Sequence, residues 1–259
     1  MIFDSHIHSA ASPDSEVPPE EVIATLKKKG FGCTFTEHIE YSADLEPFFC
    51  VDFEKYPKEY VKYKSDSVAL GVELSLIPQA VELNRQHAAN ENYDFVMGSI
   101  HVVDGIDLGA QPDITKKWFS KWREDAYLHF FKDSLKMVQT NEFFDSFGHI
   151  DYISRYSNLP EKNVLYDKYT KQYDELLIAL IERNKILEFC TRRIADESAC
   201  KNLYKIYARY KELGGRYVTI GSDAHIVDQL GYKFDLALDI LNEIGLVPVY
   251  FKNRRMVLS

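Results

Sequence analysis

Ile2-Phe3-Asp4-Ser5-His6-Ile7-His8 is a short apolar run that passes directly into a pair of histidines. Residues two apart on an extended segment face the same side, so His6 and His8 should present their imidazoles together. Two imidazoles on one side suit a single metal ion. Polar histidines at the end of a strand fit the same pattern, so the motif by itself leaves both interpretations open.

Similar short apolar runs recur along the chain and alternate with longer amphipathic stretches. The pattern predicts strands at 2–5, 32–36, 69–74, 94–99, 145–150, 186–190 and 217–221. It predicts helices between Pro18 and Gly30 and at 81–89, 116–140, 167–183, 198–213 and 228–244. Repeated strand–helix units indicate a parallel α/β architecture, either a barrel or a doubly wound sheet, and seven strands with one site favour the barrel. No linker divides the chain, so we expect residues 1–259 to form one domain.

Polar residues follow most of the predicted strands. Six of the eight histidines lie at or just beyond a predicted strand end, within fragments such as Thr36-Glu37-His38, Gly71-Val72-Glu73 and Gly221-Ser222-Asp223-Ala224-His225. The carboxyl ends of parallel strands are where sites form in such folds. Each fragment alone is compatible with a buried histidine or a capping aspartate, but together they predict a multinuclear metal site. Carboxylates and imidazoles without thiolates suit Zn, Mn or Fe.

From His6 to His225 these fragments resemble, in order, the PHP (polymerase and histidinol phosphatase) superfamily of metal-dependent phosphoesterases. The resemblance implies a distorted (β/α)7 barrel that holds two to three divalent metal ions at the C-terminal ends of its strands. The implied ligands are His6, His8, Glu73 and Asp223 for one metal, Glu73, His101 and His149 for a second, and Asp14, His38 and His225 for a third. Many members carry histidine where this chain has Asp14, so the occupancy and metal preference of the third site stay open.

The resemblance also implies residues that act on the substrate. Arg155 and Arg192 occupy places where related histidinol phosphatases grip the phosphate, and a guanidinium matches phosphate oxygens well. Arg193 is the alternative to Arg192, and a surface salt bridge is the competing interpretation for each arginine. Asp223 is the expected proton-transfer residue, with His225 as the alternative.

The implied activity is that of a phosphoric monoester hydrolase, with L-histidinol phosphate as the expected substrate. The alternatives are a PHP phosphoesterase for a sugar phosphate, nucleotide or phosphotyrosine, and a non-catalytic PHP module. An amidohydrolase would place lysine or a carboxylate on the fourth strand, where this chain has His101. Glu40 and Asp104 are the acidic residues expected near the substrate amine.

Composition limits the partners. The 259 residues carry a formal net charge of −9, which argues against a nucleic-acid partner because that binding relies on clustered lysine and arginine. The four cysteines form no CxxC pair and do not indicate a disulfide framework. With neither a signal-peptide pattern nor an apolar run long enough for a membrane, we expect a cytoplasmic protein without a membrane partner. The oligomeric state is left open.

Overall fold

The structure is a computed structural model that describes residues 1–109 and 111–259. Its strands are β1 Phe3–Ile7, β2 Gly32–Tyr41, β3 Pro47–Cys50, β4 Val68–Ser75, β5 Phe95–Ser99, β6 Val102–Val103, β7 Ile106–Asp107, β8 Ser146–Phe147, β9 Ile186–Cys190, β10 Tyr217–Gly221, β11 Val247–Lys252 and β12 Arg255–Leu258. Its α-helices are α1 Pro19–Lys29, α2 Tyr56–Tyr60, α3 Val81–Ala88, α4 Pro112–Trp122, α5 Asp125–Thr140, α6 Thr170–Glu182, α7 Glu197–Glu212 and α8 Phe234–Ile244.

A parallel sheet runs through the molecule in the order β1-β2-β4-β5-β8-β9-β10, and its strands correspond to the seven that the sequence predicts. Among the described residues the ladder between β10 and β1 is not closed. A single parallel bridge links Ile7, the last residue of β1, to Ala224, which lies just beyond the C-terminal end of β10. There the Asp223 N–H donates to the His6 carbonyl over 2.9 Å, and the His8 N–H donates to the Ala224 carbonyl over 2.9 Å. The predicted distorted barrel is therefore joined only at the end that carries the histidines.

The opposite end of the sheet is covered by the hairpin β11–β12, which the sequence patterns did not predict. β11 pairs with the start of β10 through Tyr217 and Val247. Phe251 of the hairpin stacks on Phe95 at a centroid distance of 5.3 Å, which fills the space beneath the sheet. The turn residue Arg254 donates to Asp145, which directly precedes β8, with Nε 2.6 Å from Oδ2. This hairpin takes the place of a closing ladder at the end of the barrel remote from the histidines.

Several predicted boundaries were wrong; the helix predicted at 228–244, for example, begins only at Phe234. The predicted helix 116–140 is two helices, α4 and α5, because Arg123 adopts φ 50° and its N–H closes the end of α4 onto the Phe119 carbonyl. No glycine or proline marks this break, so composition could not reveal it. β2 continues to Tyr41, which places His38 inside the strand and not at its end. The predicted strand 145–150 contracts to β8, although the Gly148 N–H still donates to the Gly98 carbonyl over 3.0 Å. A Cβ at Gly148 would lie 2.4 Å from the Ser99 hydroxyl oxygen, so the two segments approach too closely there for a side chain.

No helix within residues 1–109 or 111–259 combines the length and apolarity needed to cross a membrane.

Candidate metal centre

The first ligand group forms where β1, β4 and the segment after β10 meet. His6 lies on β1 and His8 follows it, and both side chains are fully buried with their Nε2 atoms facing Glu73 and Asp223. Glu73 Oε2 lies 3.3 Å from His6 Nε2 and 3.5 Å from His8 Nε2. Asp223 Oδ1 lies 3.6 Å and 3.5 Å from the same two nitrogens. A tetrahedral cation with bonds of about 2.1 Å separates its ligand atoms by about 3.4 Å, so the four distances between these imidazoles and carboxylates match those between ligands of one ion.

The second group uses the other oxygen of Glu73. Glu73 Oε1 lies 2.9 Å from His149 Nε2 and 3.3 Å from His101 Nε2. The two Nε2 atoms are themselves 3.2 Å apart. Glu73 therefore faces two ligand groups, one with each carboxylate oxygen, as a bridging carboxylate between two cations must.

The third group lies at the more open edge. Asp14 Oδ2 is 2.7 Å from His225 Nε2 and 3.6 Å from His38 Nε2. His8 belongs to the same cluster of possible ligand atoms, and its ring stacks on that of His38 at 4.0 Å and on that of His225 at 4.3 Å. The Asp14 side chain is 30% exposed, whereas Glu73 is fully buried, so a cation in this third group would be the most accessible to solvent.

Several of these polar atoms are buried without a partner. His6 Nε2, His8 Nε2 and Glu73 Oε2 have no hydrogen-bond partner within the part of the chain that the structure describes. Buried nitrogen and oxygen atoms are normally paired, because leaving them unpaired costs free energy. Lone pairs from imidazole and carboxylate that converge on common points are satisfied by divalent cations, so the residues present fit such ions.

The electrostatics of the group favour cation binding linked to proton release. Burial alone would raise the pKa of Glu73, but His6 and His101 hold it well below its ordinary value, so Glu73 is ionised. Burial opposes the charge of His6, yet Glu188 and Glu73 raise its pKa well above the ordinary value. For His8, burial and two neighbouring imidazoles lower the pKa well below the ordinary value. Because imidazole ligands must be deprotonated, a cation that binds here displaces protons held by the charged histidines.

A cavity of about 450 Å³ opens directly onto these ligands. Its wall includes Arg155, Arg192, Asp107, Tyr152 and Tyr156. This volume lies in the range of small-molecule sites, and beside the candidate ligands its wall combines two arginines, the acids Glu40 and Asp107, and the aromatic rings of Phe49, Tyr152 and Tyr156.

The two arginines reach the ligand cluster through Asp223. Arg155 stands in the 3₁₀ turn Tyr152–Arg155 and forms an ion pair with Asp223 Oδ2. Arg192 stands in the 3₁₀ turn Thr191–Arg193, donates to the Asp223 carbonyl and lies 3.3 Å from His225 Nδ1. Arg193 does not line the cavity, because its guanidinium is held by Asp151 and by other polar groups outside it. Burial opposes the charge of Asp223, but Arg155 and the buried imidazoles hold its pKa well below the ordinary value.

A family model described as the PHP domain matches residues 4–192 of the chain. The chain belongs to this family. The match ends before Asp223 and His225, which the fold brings next to His6 and Asp14 of the matched part.

Two curated relatives and one solved structure extend the similarity over the whole chain. The probable histidinol-phosphatase of Clostridium acetobutylicum is 40% identical over 256 residues, which cover 99% of each chain. The histidinol-phosphatase of Lactococcus lactis subsp. lactis is 26% identical over 252 residues, covering 94% of this chain and 91% of that protein. A crystal structure of histidinol phosphate phosphatase from Lactococcus lactis, complexed with zinc, L-histidinol and phosphate, matches with a TM-score of 0.86 and 25% identity over 99% of this chain and 98% of that one. The predicted family and architecture are thereby confirmed.

Two further acidic residues of the PHP domain each contact a candidate ligand histidine, which the sequence patterns did not predict. Glu188 is fully buried and lies 2.7 Å from His6 Nδ1, and its signal was a carboxylate inside an otherwise apolar strand. Glu40 was expected near a substrate amine, and it lines the cavity with Oε1 2.7 Å from His101 Nδ1. Asp104 was expected there too, but it does not line this cavity and instead lies 2.7 Å from His129 Nδ1.

Proposed function

We propose that this PHP domain hydrolyses L-histidinol phosphate to L-histidinol and phosphate. The observation that carries the proposal is the cavity in which three adjoining groups of metal-ligand atoms meet two arginines. The names of the full-length relatives point to the same substrate, as does the solved structure that contains zinc, L-histidinol and phosphate.

In this proposal the three ligand groups hold two to three divalent ions, with zinc as the first expectation and Mn or Fe as alternatives. His6, His8, Glu73 and Asp223 hold one ion, Glu73, His101 and His149 a second, and Asp14, His38 and His225 a third, with His8 at the edge of that last group. Bound divalent ions supply Lewis-acid chemistry, since they lower the pKa of a water molecule and neutralise charge on a phosphoryl group.

The side chains of the cavity have separate roles. Arg155 and Arg192 bind the phosphate oxygens, because a guanidinium presents paired donors in the plane that phosphate requires. Asp223 is ionised, with its carboxylate paired to Arg155 and its backbone carbonyl accepting from Arg192. In this proposal the carboxylate accepts a proton from the attacking water and returns one to the leaving alkoxide. His225 lies 2.7 Å from Asp14 and is the alternative proton donor at the open edge.

The remaining wall suits the organic half of histidinol phosphate. Asp107 brings a carboxylate into the same cavity, which favours a cationic amine. Tyr152 and Tyr156 bring two flat rings, which suit a planar imidazole. The cavity therefore offers arginines for the phosphate of the substrate and acidic and aromatic groups for its amine and imidazole, with the Arg155 guanidinium 5.2 Å from the centre of the Tyr152 ring.

The cellular setting follows from the same proposal. Hydrolysis of histidinol phosphate would place the protein in histidine biosynthesis, and we expect residues 1–259 to act as one catalytic domain. Its four cysteines are free thiols, as is usual in a reducing cytoplasm, and burial raises the pKa of Cys33 to about 12, which keeps that thiol unreactive. A formal charge of −9 disfavours nucleic acid as a partner.

A panel of phosphate monoesters tests the substrate. The zinc-loaded protein is assayed for phosphate release from histidinol phosphate, a sugar phosphate, a nucleoside monophosphate and a phosphotyrosine peptide. We expect kcat/KM to be highest for histidinol phosphate, and a higher value for any other ester would reject the proposed substrate. Arg192→Ala and Arg193→Ala form a matched pair, because only Arg192 lines the cavity. The first should lose phosphate affinity, and the second should keep it.

A further inference from the structure

Glu188 is a carboxylate with no direct place in the proposed chemistry. It lies in β9 between Leu187 and Phe189, and all three side chains are buried. It does not line the cavity, and none of the ligand groups found in the described residues includes it. Since burying a carboxylate costs free energy unless its oxygens are well paired, its contacts indicate what it does.

Each oxygen of Glu188 contacts a different ligand histidine. Oε1 lies 2.7 Å from the Nδ1 atom of His6, which belongs to the first ligand group. Oε2 accepts the backbone N–H of His149 over 2.6 Å, and the His149 side chain belongs to the second group. One buried side chain therefore joins the two histidines across both groups.

The first contact sets which nitrogen of His6 faces the cation. With Oε2 accepting the backbone N–H of His149, Oε1 accepts a hydrogen bond from the N–H at Nδ1 of His6. Once a cation displaced the proton on Nε2, that nitrogen would offer its lone pair to the cation, beside Glu73 Oε2 at 3.3 Å. A carboxylate behind a ligating imidazole in this way fixes its tautomer and ring orientation and strengthens it as a ligand.

The neighbouring strand leaves room for this arrangement only because residue 221 is glycine. A Cβ atom at Gly221 would lie 2.2 Å from Glu188 Oε1 and 2.4 Å from the Cβ atom of His6. Any larger residue would push apart the two groups that make the contact.

We propose that Glu188 is a positioning residue that orients His6 and His149 together, so that cation binding at the first ligand group is coupled to binding at the second. The inference rests on the metal centre of the proposed function, and not on the identity of the substrate.

Zinc binding by Glu188→Gln tests this inference. Glutamine has nearly the same shape but only one acceptor oxygen, whereas the contacts with His6 and His149 both require an acceptor, so one of them must be lost. We expect zinc affinity to fall about 10–100-fold at both groups, as elemental analysis after dialysis against a zinc–chelator buffer would measure. The matched control is Asp94→Asn, which alters a buried carboxylate that instead pairs with Lys64 and the Leu70 N–H, and it should keep its zinc.

Three results separate the possibilities. If Glu188→Gln binds zinc as the wild type does, the positioning role is wrong even where histidinol phosphate is hydrolysed. If the wild type binds zinc without hydrolysing histidinol phosphate while Glu188→Gln loses zinc, the proposed function fails and the positioning role stands. If Glu188→Gln does not fold, Gly221→Ala displaces the same carboxylate from the other side, and unchanged zinc affinity in that variant would overturn the inference.

Discussion

Replacing Glu73 by glutamine removes one negative charge from the point where the ligand groups meet, and it leaves the side-chain volume almost unchanged. The two oxygens of Glu73 lie within 3.5 Å of nitrogens from His6, His8, His38, His101 and His149. A glutamine retains one acceptor oxygen and turns an NH₂ group toward nitrogens that are needed as ligands. Because both the first and the second group lose their shared carboxylate, we expect zinc to be lost from both.

The expected magnitude follows from what the cations contribute. A loss of about 4 kcal/mol of transition-state stabilisation, within the several kcal/mol that metal ions supply, corresponds to about a 1000-fold decrease in kcat/KM. Phosphate release from histidinol phosphate and zinc content by elemental analysis would be measured on the same preparation. Glu20→Gln, an exposed substitution on α1, serves as the control and should match the wild type. Zinc-free Glu73→Gln protein with kcat/KM within tenfold of the wild type would refute the reasoning.

Two further variants test phosphate binding and the stability of the fold, and a calorimetric measurement tests proton release on zinc binding. Arg155→Ala should lower kcat/KM about 100-fold at constant zinc content, because the phosphate loses a charged hydrogen-bond donor beside Asp223. An unchanged kcat/KM would contradict this. Arg254→Ala should lower the free energy of unfolding by about 2–3 kcal/mol, because Asp145 loses its partner in an ion pair that is only partly exposed. Urea titrations would measure this, and an unchanged unfolding midpoint would contradict it. Burial opposes the charge of His101, yet two carboxylates raise its pKa to about 10, so it is protonated at pH 7. Zinc uptake should therefore release protons, and zinc affinity should rise as the pH rises toward 10, as calorimetry in buffers of different ionisation enthalpy would detect. Heats that do not depend on the buffer would contradict this.

The charge of the chain and the charge of its cavity differ in sign under this proposal. A formal net charge of −9 disfavours an anionic substrate over most of the surface. Arg155 and Arg192 line the cavity, and cations held by the ligand groups would add further positive charge there. The positive charge in the cavity would thus bind the substrate phosphate, although the molecule as a whole is negatively charged.

The sequence alone was sufficient for the positions of the seven parallel strands and for most of the ligand candidates. His6 and His8 lie two apart on an extended segment, and that spacing requires both to face one side. Glu73 lies near the carboxyl end of β4, and His101 and His149 lie just beyond the ends of β5 and β8; parallel strands bring these ends to one edge. These properties are local or follow from the topology, so they can be predicted without coordinates.

Tertiary structure alone decided how neighbouring residues divide their roles. Arg192 and Arg193 are adjacent, yet only Arg192 lines the cavity, because the 3₁₀ turn sends the two side chains to different partners. In the sequence, Glu188 is a carboxylate in an apolar strand with no evident reason. In the folded chain β1 brings His6 within hydrogen-bond distance of Glu188, and Gly221 leaves space for the contact. The break at Arg123 likewise carries no local signal. Spacing along the chain determines which face a residue occupies, whereas its partner there depends on contacts between segments distant in sequence, which only the folded chain creates.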